Sequence, residues 1–212
     1  MSASLSAQVY YENDSGGQFT DDLTITDGDY YWYVDADEAS VIDMVGGIVD
    51  ELIPFGFSTT NISGGLTQNL EALEAATINI SAGEVLDLSA YDQSEVSITG
   101  GDVSWLYLTS GSQAIMLEGD IENLWAESFS TVDIYGYDIS YEPQHSYDGT
   151  RQTWEGLLTG FWQNQAPFSI ATWDQETYDH VVLHDLGALP SAPEPATLLL
   201  LGLGALAIRR RG

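Results

Sequence analysis

The chain has 212 residues, 44% of them hydrophobic, enough for one or two domains with a sizeable core and too apolar for a disordered segment. Its 33 acidic side chains face 4 arginines and no lysine, a net charge of −29, which excludes nucleic acid and anionic lipid headgroups as partners because both carry the same sign. The absence of cysteine excludes disulfide staples, thiolate chemistry and cysteine-ligated metals.

Residues 1–19 read as an N-terminal segment whose small-residue run Ser2–Ala7 resembles the end of a signal peptide. Met1–Gln8 has neither a basic start nor an apolar stretch, so a start further upstream is expected. Next comes the aromatic run Tyr30-Tyr31-Trp32-Tyr33 in a strand-like setting. Such rings can stack on sugars or close the open end of a β-structure. The cap is the favoured expectation, since tyrosine and tryptophan bury area while keeping a polar tip. Asp27-Gly28-Asp29 and Asp35-Ala36-Asp37-Glu38 offer carboxylates to Ca2+, but neither follows an EF-hand or a calcium-binding nonapeptide. Solvated acidic turns and no cofactor are the reading.

Residues 20–142 are repetitive. Gly47, Gly65, Gly83, Gly101 and Gly119 are each 18 residues apart. Five residues after each glycine stands Leu52, Leu70, Leu88, Leu106 or Leu124, and three before it Met44, Ile62, Ile80, Ile98 or Met116. Two after it stand Val49, Thr67, Val85, Val103 and Ile121; five before it, Ile42, Thr60, Ile78, Val96 and Ala114. A further copy continues with Val132, Ile134 and Ile139, with Tyr137 in the glycine's place, and a weaker one precedes the set around Thr24–Val34. Helical repeats need periods of about 33–47 residues and a 3.6-residue rhythm. A period of 18 with β-branched residues two apart instead predicts stacked short strands. At about 3.3 Å per residue one coil has a perimeter near ~60 Å, enough for three short faces. The predicted fold is mainly β: a short parallel β-solenoid of five to six coils, a small antiparallel C-terminal cap and a C-terminal hydrophobic helix. Its inward ladders of Ile, Val and Leu form the core, the glycines mark a corner, and any ligand site lies on an outer face.

On the first strand of each coil the outward columns read Asp43, Asn61, Asn79, Ser97 and Val45, Ser63, Ser81, Thr99. The candidate ligand face is therefore Asn61, Ser63, Asn79, Ser81, Ser97 and Thr99. Stacked short polar side chains suit a regular surface such as ice or a polysaccharide, and they are also what any solvated β-face displays. Residues 143–189 are expected to form the cap from three runs, Trp154–Trp162, Pro167–Trp173 and His180–Asp185. His180 and His184 would share a metal on a helix. The Val-Val-Leu between them indicates a strand, which holds them about 13 Å apart, so no metal site is assigned.

Residues 190–212 are a linker and a tail: Pro193-Glu194-Pro195, an apolar stretch from Ala196 to Ile208, then Arg209, Arg210 and Arg211. Thirteen helical residues span only ~20 Å, short of a ~30 Å hydrocarbon core, but arginines snorkel and remain on the cytoplasmic side. This tail resembles the PEP-CTERM sorting signal over about a tenth of the chain. The resemblance implies recognition by an exosortase-type sorting enzyme and anchoring in the inner membrane through the C-terminal helix. It also implies a final place at the cell surface or in an extracellular, exopolysaccharide-rich matrix. The same tail is also grouped with the C-termini of bacterial ice-binding proteins.

No G-x-S-x-G, P-loop or dinucleotide fingerprint is present, and Arg151 is the only cation before the tail. Paired carboxylates for glycoside hydrolysis are always available among 33 acids and carry no weight alone. The sequence therefore points to an exported structural or adhesive protein and not an enzyme, with a carbohydrate- or ice-binding module as the alternative.

Overall fold

The computed structural model describes residues 17–19, 22–36, 39–147, 152–173 and 177–189. The tail, with its expected helix, and the first sixteen residues lie outside them. The repeat is a stack of parallel strands: β5 (Val41–Pro54), β6 (Thr59–Ala72), β7 (Thr77–Ala90), β8 (Glu95–Leu108) and β9 (Gln113–Ala126). Each residue pairs with the one 18 positions on, as in Ile42↔Thr60↔Ile78↔Val96↔Ala114 and Leu52↔Leu70↔Leu88↔Leu106↔Leu124. The register slips by one only at the glycine corner, where Ser63 lies opposite Ala82 and Thr99 opposite Glu118.

Every coil has three faces, typified in β5 by residues 41–45, 48–49 and 52–54. A four-residue turn returns the chain to the next first face: Phe55–Ser58, Leu73–Ala76, Tyr91–Ser94, Thr109–Ser112 and Glu127–Ser130, each closed by an N–H donating three residues back. Their second residues, Gly56, Glu74, Asp92, Ser110 and Ser128, all hold left-handed φ between 52 and 68°.

The weak N-terminal copy is a complete coil. β2 (Leu23–Ile25), β3 (Tyr30–Tyr31) and β4 (Val34–Ala36) lie parallel on the first, second and third faces of β5. β1 (Gly17–Phe19) continues the third face beyond β4. Tyr31 packs against the core, whereas Tyr30 and Trp32 are about half exposed. The aromatic run is thus part of a coil.

At the other end the repeat dissolves. β10 (Thr131–Tyr147) stays on β9 only from Thr131 to Ile134, then pairs antiparallel with β11 (Gln152–Phe161). β11 turns through Trp162–Gln165 into antiparallel β12 (Pro167–Trp173). Ala171 and Thr172 of β12 return to the stack, parallel to Asn123 and Leu124 on the third face. After a 3-10 turn (Thr177–His180), β13 (Val181–Asp185) lies parallel on β10 opposite Val132–Gly136. The expected cap is therefore antiparallel only through β10–β12. The last coil exposes a ladder of parallel hydrogen-bonding groups, and β12 and β13 satisfy it by joining the stack in its own direction. Ile139 is half-buried against the core but is not stacked on Ile121.

The core is one column of side chains running the length of the rod, from Leu23 and Ile25 to Ile134, Leu158 and Ile170. One flaw in it is chemical. Thr60 is fully buried between Ile42 and Ile78 with no hydrogen-bond partner for its hydroxyl. A buried unsatisfied hydroxyl costs about 1–3 kcal/mol. Thr60→Val is expected to raise the melting temperature by about 2–4 °C per kcal/mol recovered, read by circular dichroism; a lower melting point would mean that the hydroxyl has a partner.

Candidate functional site

The first face carries the polar columns expected from sequence, and register brings Asn61, Asn79 and Ser97 side by side. These groups bond mostly to the rod itself. Asn79 Nδ2 donates to Asn61 Oδ1 at 2.9 Å, and Asn61 Nδ2 to Asp43 Oδ1 at 2.8 Å, forming an amide ladder along the stack. Ser63 and Ser81 Oγ donate to the carbonyls of Met44 and Ile62, and Thr99 Oγ1 to that of Ile80, at 3.2–3.4 Å. Ser63, Ser81 and Thr99 nevertheless remain exposed at the surface.

The third face is different and was not singled out by the sequence reading. Its outward positions carry Ser89, Tyr107 and Trp125 in register, and next to them Asp87, Trp105 and Asn123. Tyr91 stands at the adjoining turn and Trp173 arrives on β12. The rings form two lanes along the rod. Tyr91 and Tyr107 meet edge to face at 6.0 Å and Tyr107 and Trp125 at 5.5 Å, while Trp105 and Trp173 lie tilted at 5.2 Å. Hydrogen bonds fix them: Tyr107 Oη donates to Glu127 Oε1 at 2.6 Å, and Trp173 Nε1 to Asn123 Oδ1 at 2.9 Å. Removal from water and then the bond to Glu127 hold the Tyr107 phenol above its ordinary pKa. A scan of the outward columns of every face would have found this cluster. A scan for identical residues could not, since each column changes residue type from coil to coil.

The other candidates are dispersed. Asp29 Oδ2 accepts from Thr26 N and Oγ1 at 2.8 and 2.9 Å, which makes Asp27–Asp29 a self-bonded turn; Asp37 and Glu38 lie outside the described residues. A shallow groove follows the glycine corner from Tyr30 past Ile48 and Leu66 to Glu84. His180 ends the 3-10 turn with Nδ1 against Ser130 O at 2.9 Å. His184 lies on β13 with Nε2 2.6 Å from Asp133 Oδ1 and its ring stacked on Tyr135 at 4.0 Å. The two histidines engage different partners. Among the described residues no helix is long and apolar enough to cross a membrane, and no group of three or more His, Asp or Glu side chains is placed to hold a metal.

The residues expected to carry the sorting signal, Pro193, Glu194, Pro195, Arg209, Arg210 and Arg211, lie outside the described residues. The last described stretch runs along β10 at the closing end of the rod, where Leu186 N donates to Gly136 O and Leu189 N to Asp138 Oδ2. Two residues further on, 191–211 match the PEP-CTERM protein-sorting motif. No curated protein and no solved structure matches the chain.

Proposed function

We propose that this chain, which ends in a PEP-CTERM sorting motif, is a non-enzymatic structural or adhesive protein of the cell surface or extracellular matrix. The observation that carries the reading is the motif at residues 191–211, directly after the strand that closes the rod. The motif implies export, anchoring through the C-terminus during sorting and processing by an exosortase-type enzyme. On this reading the chain divides into a segment 1–19, a rod 20–142, a cap 143–189, and a linker with sorting segment 190–212. The apolar stretch 196–208 sits in the inner membrane until processing. The rod's interior is filled by its own side chains, so contacts with matrix components such as exopolysaccharide fall on the outer faces.

Localisation tests this. Expressed from its own locus, the full chain is expected in the cell-surface or matrix fraction, and a chain lacking residues 193–212 in the medium. Recovery of both forms from the cytoplasm would overturn the reading.

A further inference from the structure

We infer that the aromatic strip on the third face binds a neutral polysaccharide, along two lanes formed by Tyr91, Tyr107 and Trp125 and by Trp105 and Trp173. The inference rests on the matrix role proposed above and gives that role a ligand. Three observations carry it.

The first is that these rings do not build the core. Inward positions on the same strands are filled by Val103, Leu106, Leu108, Ile121, Leu124 and Ala126, all essentially inaccessible to water. Trp105 and Trp125 remain 37% and 38% exposed. Two exposed indoles set among the half-buried rings of Tyr91, Tyr107 and Trp173, on a chain this acidic, are unneeded for solubility and unfavourable in water, which marks the strip as an interaction surface.

The second is shape. The rings succeed one another along the rod, from Tyr91 through Tyr107 to Trp125, over the turn after β7 and the strands β8 and β9. They make an open strip and do not enclose a cage, the arrangement by which aromatic groups capture compact cations. Hydrogen bonds from Tyr107 and Trp173 hold part of the strip in place before binding, so little side-chain freedom is lost when a ligand arrives. Successive rings of the longer lane stand nearly perpendicular, at 73° and 77°, so an extended chain meets edges and faces in alternation, with the exposed indoles of Trp105 and Trp125 making the stacking contacts.

The third is charge and hydrogen bonding. Asp87 and Glu127 lie among or beside the rings and present acceptor oxygens, the Asn123 oxygen being taken by Trp173 Nε1, and no lysine exists anywhere in the chain. This surroundings accepts hydroxyl donors and repels carboxylate or sulfate groups. An uncharged sugar polymer supplies the C–H faces that pack on indole and the hydroxyls that donate to the acceptors. An acidic polysaccharide supplies the wrong sign.

Native affinity electrophoresis of the purified full chain tests this, since its net charge of −29 drives migration and substitution of a tryptophan leaves that charge unchanged. Gels containing hydroxyethyl cellulose, galactomannan or dextran are expected to retard the chain with at least one polymer, and a gel containing alginate is not. Trp105→Ala with Trp125→Ala is expected to weaken the retardation about tenfold or more, as loss of two central aromatic anchors does. Trp32→Ala, at an exposed ring outside the strip, is expected to behave as the parent. Melting curves verify that the variants are folded. Absence of retardation in every neutral gel, or retardation untouched by the double substitution, would overturn the assignment. Displacement into a complex with polylysine by the same rings, with no response to neutral glycan, would also overturn it in favour of a cationic partner. Export is not involved in the measurement, so a failed strip leaves the localisation reading standing, and a failed localisation leaves the strip standing.

Discussion

Replacing Gly65 by alanine is expected to destabilise the rod by about 2–5 kcal/mol. Gly65 turns the second repeat's corner at φ +84°, a conformation that costs an L-residue about 1–2 kcal/mol. A Cβ added there would lie 2.6 Å from Gly46 O, Gly47 O and Met44 Cε. Two of those neighbours are backbone carbonyls of the preceding coil, held in the ladder that joins β5 to β6, so relief requires the coils to part. Overpacking of this kind adds about 1–3 kcal/mol. Gly28 provides the internal control. It has φ +91° but nothing within 4 Å of the added Cβ, so Gly28→Ala is expected to lose only the conformational term, about 1–2 kcal/mol. Urea denaturation of the two variants beside the parent separates dihedral strain from steric contact. Equal losses would mean that the corners are not in close contact, and the stacked-corner account of the repeat would fail.

The same geometry explains how far the repeat could be read from sequence. Parallel stacking puts each residue on its counterpart 18 positions away, so period, inward columns and corner glycines appear directly as a spacing. The N-terminal copy was faint because its first corner holds one extra residue. Leu23 pairs with Ile42 at a separation of 19, whereas Tyr30 pairs with Ile48 at 18. The last copy misled for a different reason. Val132 and Ile134 do extend their columns, but the next corner position is Tyr137, and a side chain there would meet the preceding coil's carbonyls as one at Gly65 would. The chain departs into a hairpin instead, and strands from far along the sequence complete the layer. Pairings such as Thr172 with Leu124 have no periodic signature. The polar first face was legible as a set of positions. That Asn61, Asn79 and the neighbouring hydroxyls bond within the rod was not, because a sequence shows which residues stack but not which carbonyl a hydroxyl reaches.

Trp162→Ala is expected to cost about 3–5 kcal/mol, the range for deleting a fully buried aromatic side chain. Trp162 is 1% exposed, its ring lies 4.2 Å from that of Phe168, and its Nε1 donates to Gly119 O at 2.8 Å. Gly119 is the last of the corner glycines, and β10 has already left the stack, so the indole occupies the place the next coil's corner would have filled. Its removal opens a cavity at the end of the core column and leaves the Gly119 carbonyl without that donor. Trp162→Phe keeps most of the volume and loses the hydrogen bond, so its expected loss is smaller, about 1–2 kcal/mol. The alanine variant is also expected to associate with itself at concentrations where the parent does not, since a loosened terminal layer exposes strand edges to other copies. Denaturation midpoints together with sedimentation velocity measure both effects. A Trp162→Ala chain that melts with the parent and stays monomeric would show that β12 and β13 close the rod by backbone pairing alone, and that the indole only fills space beside a corner already sealed.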